Sequence, residues 1–197
     1  MNFRLRVGLL GGAFDPPHAA HVALARAALS GLQLHELRIL PTGKPWHRDR
    51  QPIASAHRVA MCRLAFAGIV GVVIDDRETR RDAATYTIDT VRELRREQPD
   101  VDWFLIIGAD QARAFATWRE WQELLRLVHL VVAKRDPQAG QWQNTALTGA
   151  TSLPFEPMHV SATQIREDLG VGRTSPWLDP QVLSYIQHHQ LYCTPST

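Results

Sequence analysis

Two histidines three residues apart follow a glycine pair in the string Gly11-Gly12-Ala13-Phe14-Asp15-Pro16-Pro17-His18-Ala19-Ala20-His21. Glycines let a backbone approach a phosphate closely. A helix starting near His18 offers free N–H groups to an anion. Spacing i, i+3 puts His18 and His21 on one face of its first turn, where two imidazoles could donate to a polyphosphate. A plain strand-to-helix turn explains the same glycines. A histidine pair could also be half of a zinc site, although no cysteine or acidic cluster stands nearby to complete one.

Two more segments carry candidate chemistry. Ser161 opens a helix, and Gln164 three residues on makes a capping box. The Ser161 and Thr163 hydroxyls and the N–H groups there could equally hold phosphates, with the forked guanidinium of Arg166 reaching the same anion. Pro41–Pro52 is rich in Pro, Lys, Arg and His, among them Lys44, His47 and Arg48. A solvated surface loop is the plain reading of that run.

These residues need elements to hold them. Arg4–Leu10 reads as a buried strand. His18–Ser30 reads as a helix with Gly31 as its C-cap. Glu36–Leu40 is a strand closed by Pro41, and Ser55 can cap a helix running to Ala67. Val72–Asp75 is a strand. Thr87 to about Gln98 is a helix with Ile88, Val91 and Leu94 on one face. Trp103–Ile107 and Leu127–Ala133 are further strands. Arg135–Pro157 is long, polar and unassigned. Helices beginning at Ser161 and at Asp179-Pro180 close the chain, the latter with Asp as N-cap and Pro at its first position. Strands alternating with helices at this spacing predict a parallel sheet with helices on both faces. Ligands then sit at the carboxyl ends of the strands.

The 197 residues fit one domain, 1–197, with length enough for a sizeable core. Hydrophobic residues at 45% and charged ones at 21% are the balance of a globular protein. A formal net charge of +2 is too small for the concentrated basic face of a nucleic-acid binder. The two cysteines, Cys62 and Cys193, make no disulfide framework. No signal peptide or membrane span is evident, so the expected compartment is the cytoplasm. The oligomeric state is left open.

The glycine–histidine string resembles the G-x-F-D-P-x-H-x-G-H signature of the nucleotidylyltransferase superfamily, with Ala20 where that pattern has Gly. Further segments resemble the nicotinate mononucleotide adenylyltransferase family, in order. Pro41-Thr42-Gly43-Lys44-Pro45-Trp46-His47-Arg48 is similar to its P-T-x-x-P-P-H-K loop, with Trp46 for Pro and Arg48 for Lys. Thr85-Tyr86-Thr87-Ile88-Asp89-Thr90 is similar to S-Y-T-I-D-T. Ile106-Ile107-Gly108-Ala109-Asp110 with Phe115 and Trp118 follows I-I-G-A-D…F-x-x-W. Val160–Arg166 resembles I-S-S-T-x-I-R.

The resemblance implies a Rossmann-like, doubly wound α/β fold with a short C-terminal helical part. It implies an enzyme of NAD biosynthesis that joins ATP and nicotinate mononucleotide. His18, His21 and Arg166 would be catalytic. ATP would meet Gly11, Gly12, Phe14, His18, His21, Gly108, Asp110, Ser161, Thr163 and Arg166. The acceptor would meet Lys44, His47, Thr85, Tyr86 and Trp118, with Trp118 stacking on the pyridine ring and Trp121 packing. Magnesium would arrive with ATP. The alternatives are a sister enzyme for nicotinamide mononucleotide or phosphopantetheine, or a non-catalytic nucleotide sensor on the same fold.

Overall fold

The structure is a computed structural model that describes residues 4–44, 51–134, 147, 149–156 and 158–193. Six parallel strands, β1 (Leu5–Gly12), β2 (Glu36–Pro41), β3 (Val72–Ile74), β4 (Val101–Gly108), β5 (His129–Lys134) and β6 (Thr151–Pro154), lie in the order β3-β2-β1-β4-β5-β6. The order reverses between β1 and β4. In such a sheet the connections leave in opposite directions there and open a crevice at the carboxyl ends. The register pairs Leu10 with Ile106, so Gly12 and Gly108 end their strands level with each other.

Alternating strand residues feed two cores. Leu10, Phe104, Ile106 and Val131 face one layer, made by α1 (Ala19–Gly31), α2 (Ser55–Ala65), α6 (Ala162–Gly170) and α7 (Pro180–His188). Val7, Leu9, Leu105, Ile107 and Val132 face the other, made by α3 (Thr87–Glu97), α4 (Ala109–Ala114) and α5 (Trp121–Leu127). This is the doubly wound α/β fold expected. Among the described residues no helix is long and apolar enough to cross a membrane.

Several local expectations are corrected. Gly31 is not a C-cap: it ends α1, with Leu32 as cap. A Cβ there would come within 2.8 Å of the Leu153 side chain, so Gly31 admits β6 against the helix. Ser55 is the first residue of α2, and Ala54 is its N-cap. Leu127 belongs to α5, not to β5. Ser161 does cap α6, accepting from the Thr163 N–H at 3.2 Å, but Gln164 donates to Asp168 at 3.4 Å and closes no capping box. Asp179 caps α7 as expected, at 2.8 Å from the Gln181 N–H.

Candidate active site

The floor of the crevice is glycine. A Cβ at Gly11 or at Gly108 would meet nothing within 4 Å, so both border open space. Beyond Gly12 the chain turns sharply: Phe14 has φ 50° and is buried. Its ring packs on His21 at 4.9 Å, edge to face. His18 then caps α1, and its ring stacks on that of His21 with centroids 3.8 Å apart. The helix runs on unbroken through Ala20.

The two imidazoles sit in defined states. Burial lowers the His18 pKa from 6.5 to about 4. Burial first, and the neighbouring His18 second, lower that of His21 to about 3, although one edge of its ring stays partly exposed. Both rings are neutral at pH 7 in the free protein. The His18 backbone N–H donates to His21 Nδ1 at 3.2 Å. That fixes the tautomer: the proton of neutral His21 sits on Nε2, as a donor. His18 Nδ1 is buried and has no hydrogen-bond partner among the described residues. The same side chain faces the His21 N–H in a capping-box arrangement at the start of α1.

One expected donor is already used. The Ala19 N–H, first in the helix, donates to the Trp177 carbonyl at 2.8 Å. What the helix start offers an anion is therefore mainly its histidines.

From the same helical layer as α1, α6 brings Arg166 and Thr163 to the loop after β1. Arg166 Nη1 donates to the Asp15 carbonyl at 2.7 Å, and Nη2 donates to the Thr163 hydroxyl at 3.1 Å. The Tyr192 hydroxyl donates to Asp15 Oδ1 at 2.7 Å. Asp15 is 4% exposed. The signature loop and the Ser161–Arg166 segment thus meet, through Asp15. Ser161 and Thr163 are exposed at the start of α6.

The acceptor candidates gather at the ends of β2 and of the segment before α3. Lys44 and Ala84 form a parallel bridge, and the Thr85 N–H donates to the Lys44 carbonyl at 3.3 Å. Lys44 Nζ is exposed and donates to the Asp82 carbonyl at 2.8 Å. Thr85 is buried, its hydroxyl turned to the Glu78 carbonyl at 3.5 Å. Tyr86 is the N-cap of α3, with the Arg119 guanidinium 4.8 Å above its ring. The first i→i−4 bond of that helix joins the Thr90 N–H to the Tyr86 carbonyl, so the Thr87 and Ile88 N–H groups precede it. Trp118 is half-buried against Phe115, centroids 5.1 Å apart. Asp110 is in the first turn of α4, whose N-cap is Gly108. Its carboxylate is exposed and pairs with Arg113. His47, with Trp46 and Arg48, lies outside the described residues.

Three residues that carry this geometry escape a motif reading. Glu78 is buried and accepts from the Thr90 hydroxyl at 2.8 Å. Burial raises its pKa from 4.5 to about 7. Gly43 lies against it: a Cβ there would be 2.2 Å from the Glu78 carbonyl oxygen and 2.7 Å from the Thr85 hydroxyl. Arg58 is 2% exposed inside the sheet–helix layer. Its signal was available: in Ser55–Ala65 it is the charged member of the buried stripe that includes Met61, Cys62 and Ala65.

Crevice, glycine floor and paired imidazoles are those of a nucleotidyltransferase, and the profile of the cytidylyltransferase-like family matches residues 9–168. A probable nicotinate-nucleotide adenylyltransferase of Albidiferax ferrireducens is 43% identical over 195 residues, covering 96% of this chain and 98% of that protein. Another, of Methylibium petroleiphilum, is 41% identical over 198 residues, covering 96% and 93%. The solved nicotinic acid mononucleotide adenylyltransferase of Plasmodium falciparum in complex with NaAD shares the fold, with a TM-score of 0.78 at 17% identity over 96% of this chain and 98% of that one. The chain belongs to the cytidylyltransferase-like family and, within it, to the nicotinate-nucleotide adenylyltransferases.

Proposed function

We propose that this chain transfers the adenylyl group of ATP to nicotinate mononucleotide, giving nicotinate adenine dinucleotide and pyrophosphate, as one cytoplasmic domain in NAD biosynthesis. A phosphate oxygen of the acceptor attacks the α-phosphorus of ATP. The bond between the α-phosphorus and the bridging oxygen breaks, and pyrophosphate leaves. The second pKa of a phosphomonoester is about 6, so the nucleophile is already ionised at neutral pH and needs no general base. What remains is in-line positioning and stabilisation of charge. The observation that carries the reading is the stacked, neutral His18–His21 pair at the β1–β4 crevice, with the His21 proton fixed on Nε2.

His18 and His21 donate to the triphosphate in this reading. Thr163 and Ser161 meet its far end with Arg166, and Gly11, Gly12 and Gly108 leave room for it. Phe14 supports His21, and Asp110 accepts from a ribose hydroxyl after parting from Arg113. Thr85, Tyr86, Trp118, Lys44 and His47 serve the acceptor. The donor set is imidazole, guanidinium and hydroxyl, which suits phosphate oxygens better than a divalent cation. Magnesium accordingly enters as part of the substrate, on the ATP phosphates.

The acid form of the acceptor is preferred to the amide. The start of α3 presents N–H donors and partial positive charge, which suit a carboxylate. Asp89, one of the acids flanking the segment, pairs with Arg92 at 3.7 Å. An amide would set its own NH₂ against donors, and such a mismatch costs roughly 10²-fold. The test is pyrophosphate release from ATP with nicotinate mononucleotide, nicotinamide mononucleotide or phosphopantetheine on one preparation. A kcat/KM roughly 10²-fold higher for the first is expected. Equal values or an amide preference sink the acid preference, and no release with any acceptor sinks the enzyme reading.

A further inference from the structure

Arg58 lies where a charge is costly. It shares the buried face of α2 with Val59, Met61, Cys62 and Ala65. Burying a guanidinium is unfavourable unless its N–H groups find acceptors. Here Nη1 donates to the Ala13 carbonyl at 2.8 Å, and Nη2 donates to the Thr42 carbonyl at 2.7 Å, with that of Gly43 at 3.4 Å. Nε donates to the Ile53 carbonyl at 3.1 Å. Ala13 belongs to the loop after β1, which leads to His18. Thr42 and Gly43 belong to the loop after β2, which leads to Lys44. A planar fork with five N–H donors in fixed directions can span two loops in this way, whereas an ammonium is a point donor.

Each loop also has anchors of its own. Arg166 and Tyr192 hold Asp15, just beyond Ala13. Thr85 holds Lys44. The Thr42 N–H also donates to the Gly12 carbonyl at 2.8 Å, the last rung between β1 and β2. Removing Arg58 therefore leaves each loop attached on its far side and at that rung, and loosens the tie between the two beyond it.

The geometry points to Arg58 as a positioning residue for adenylyl transfer: it sets the spacing between the triphosphate loop and the acceptor loop without touching either substrate. This rests on the function proposed above. In-line attack needs the reacting atoms about 3–3.5 Å apart, and a misplacement of about 1 Å can cost 10²-fold. A spacing error shows in turnover rather than in the binding of either substrate alone.

The experiment compares wild type with Arg58→Lys and Arg58→Met. Melting followed by circular dichroism gives the folded fraction, and kcat is expressed per folded molecule. Calorimetry gives the Kd of an unreactive ATP analogue and, separately, of nicotinate mononucleotide. In Arg58→Met, kcat per folded molecule should fall roughly 10²-fold, and in Arg58→Lys roughly tenfold. Both affinities should stay within about threefold, well under the 1.4 kcal/mol of a tenfold change. A purely structural role would lower the folded fraction and leave kcat per folded molecule unchanged, which overturns the proposal. So does a loss carried by either affinity alone. If Arg58→Met does not fold, Arg58→Lys decides on the same criteria. An inactive wild type would fail the proposed function and the positioning role with it, whereas an active wild type with indifferent variants fails the positioning role alone.

Discussion

At the end proposed for the triphosphate, the loop and the paired imidazoles come from residues 11–21, and their neighbours hold them in one arrangement. Arg58 and Arg166 donate to the carbonyls on either side of Phe14, Tyr192 holds Asp15, and each histidine ring rests on the other. At the end proposed for the acceptor, segments 42–44, 78–90 and 115–118 meet from three places in the chain. Contacts there join separate segments across the chain: a single parallel bridge, a 3.5 Å contact from the Thr85 hydroxyl, a 2.8 Å one from the Thr90 hydroxyl to Glu78, and an exposed Lys44 that donates to the Asp82 carbonyl. Charge that develops on a transferring phosphate is met best by fixed donors. An acceptor that must enter and leave as a different molecule is served by a frame that holds shape through one buried acid, Glu78. The contrast predicts that damage at the first end shows in turnover, and damage at the second in acceptor affinity and in pH dependence.

The largest expected effect is His21→Ala, at roughly 10²-fold or more in kcat, the scale for losing one electrostatic donor. Its fold should persist, since the loss resembles that of a helix cap, about 1 kcal/mol or a few degrees of melting temperature. A folded variant with full kcat would remove His21 from the chemistry. Next is Gly43→Ala. Its methyl group would stand 2.2 Å from the Glu78 carbonyl, a backbone atom that cannot step aside alone. Acceptor KM should rise roughly tenfold with smaller change in ATP KM, on the scale of about 1–3 kcal/mol for overpacking. Equal effects on both substrates would erase the distinction between the two ends.

The smallest effect is on stability against pH. Glu78 has a folded pKa of about 7 against 4.5 unfolded. The folded state therefore holds a proton that the unfolded state has lost, and the resulting stability is present below pH 4.5 and gone above pH 7. His18 and His21, lowered to about 4 and about 3, act in the opposite sense: their stability is present above pH 6.5 and is lost as pH falls through those values. Glu78→Gln removes the first component only. The melting temperature of wild type minus that of Glu78→Gln should be smaller at pH 8 than at pH 5. A difference that stays constant would mean the carboxyl does not titrate there.

The legibility of the sequence follows the same division. Residues 11–21 stand side by side, so the turn, the helix start and the pairing of the two histidines are readable from spacing, as is the Asp179-Pro180 helix start. Contacts between distant residues are not. Gly31 reads as a helix stop until Leu153, a hundred and more residues later, is packed against it. The four-residue β6 and the short helices α4 and α5 are too brief for periodicity to register. The run Leu127–Ala133 is apolar enough to serve as either element. Glu78 looks like a surface charge until the donor it accepts from is assembled by the fold, and Arg58, though set in an apolar helical stripe, shows its acceptors only there. Strand–helix alternation points to the carboxyl ends of a parallel sheet, whereas the place of the crevice between β1 and β4 needs the strand order that the fold supplies.

The partners of Asp15 have a consequence in time as well as in space. Arg166 lies 151 residues and Tyr192 lies 177 residues further along the chain. A ribosome adding roughly 5–20 residues per second delivers Asp15 roughly 9–35 s before Tyr192. From the synthesis of Arg58 until that of Arg166 the nascent polypeptide carries both histidines on a loop that lacks two of its three fastenings, even after β4 has completed the centre of the sheet. Translation thus withholds a fully fastened loop from partial products, and an aborted chain that stops short of residue 166 has Arg58 alone of the three to hold it.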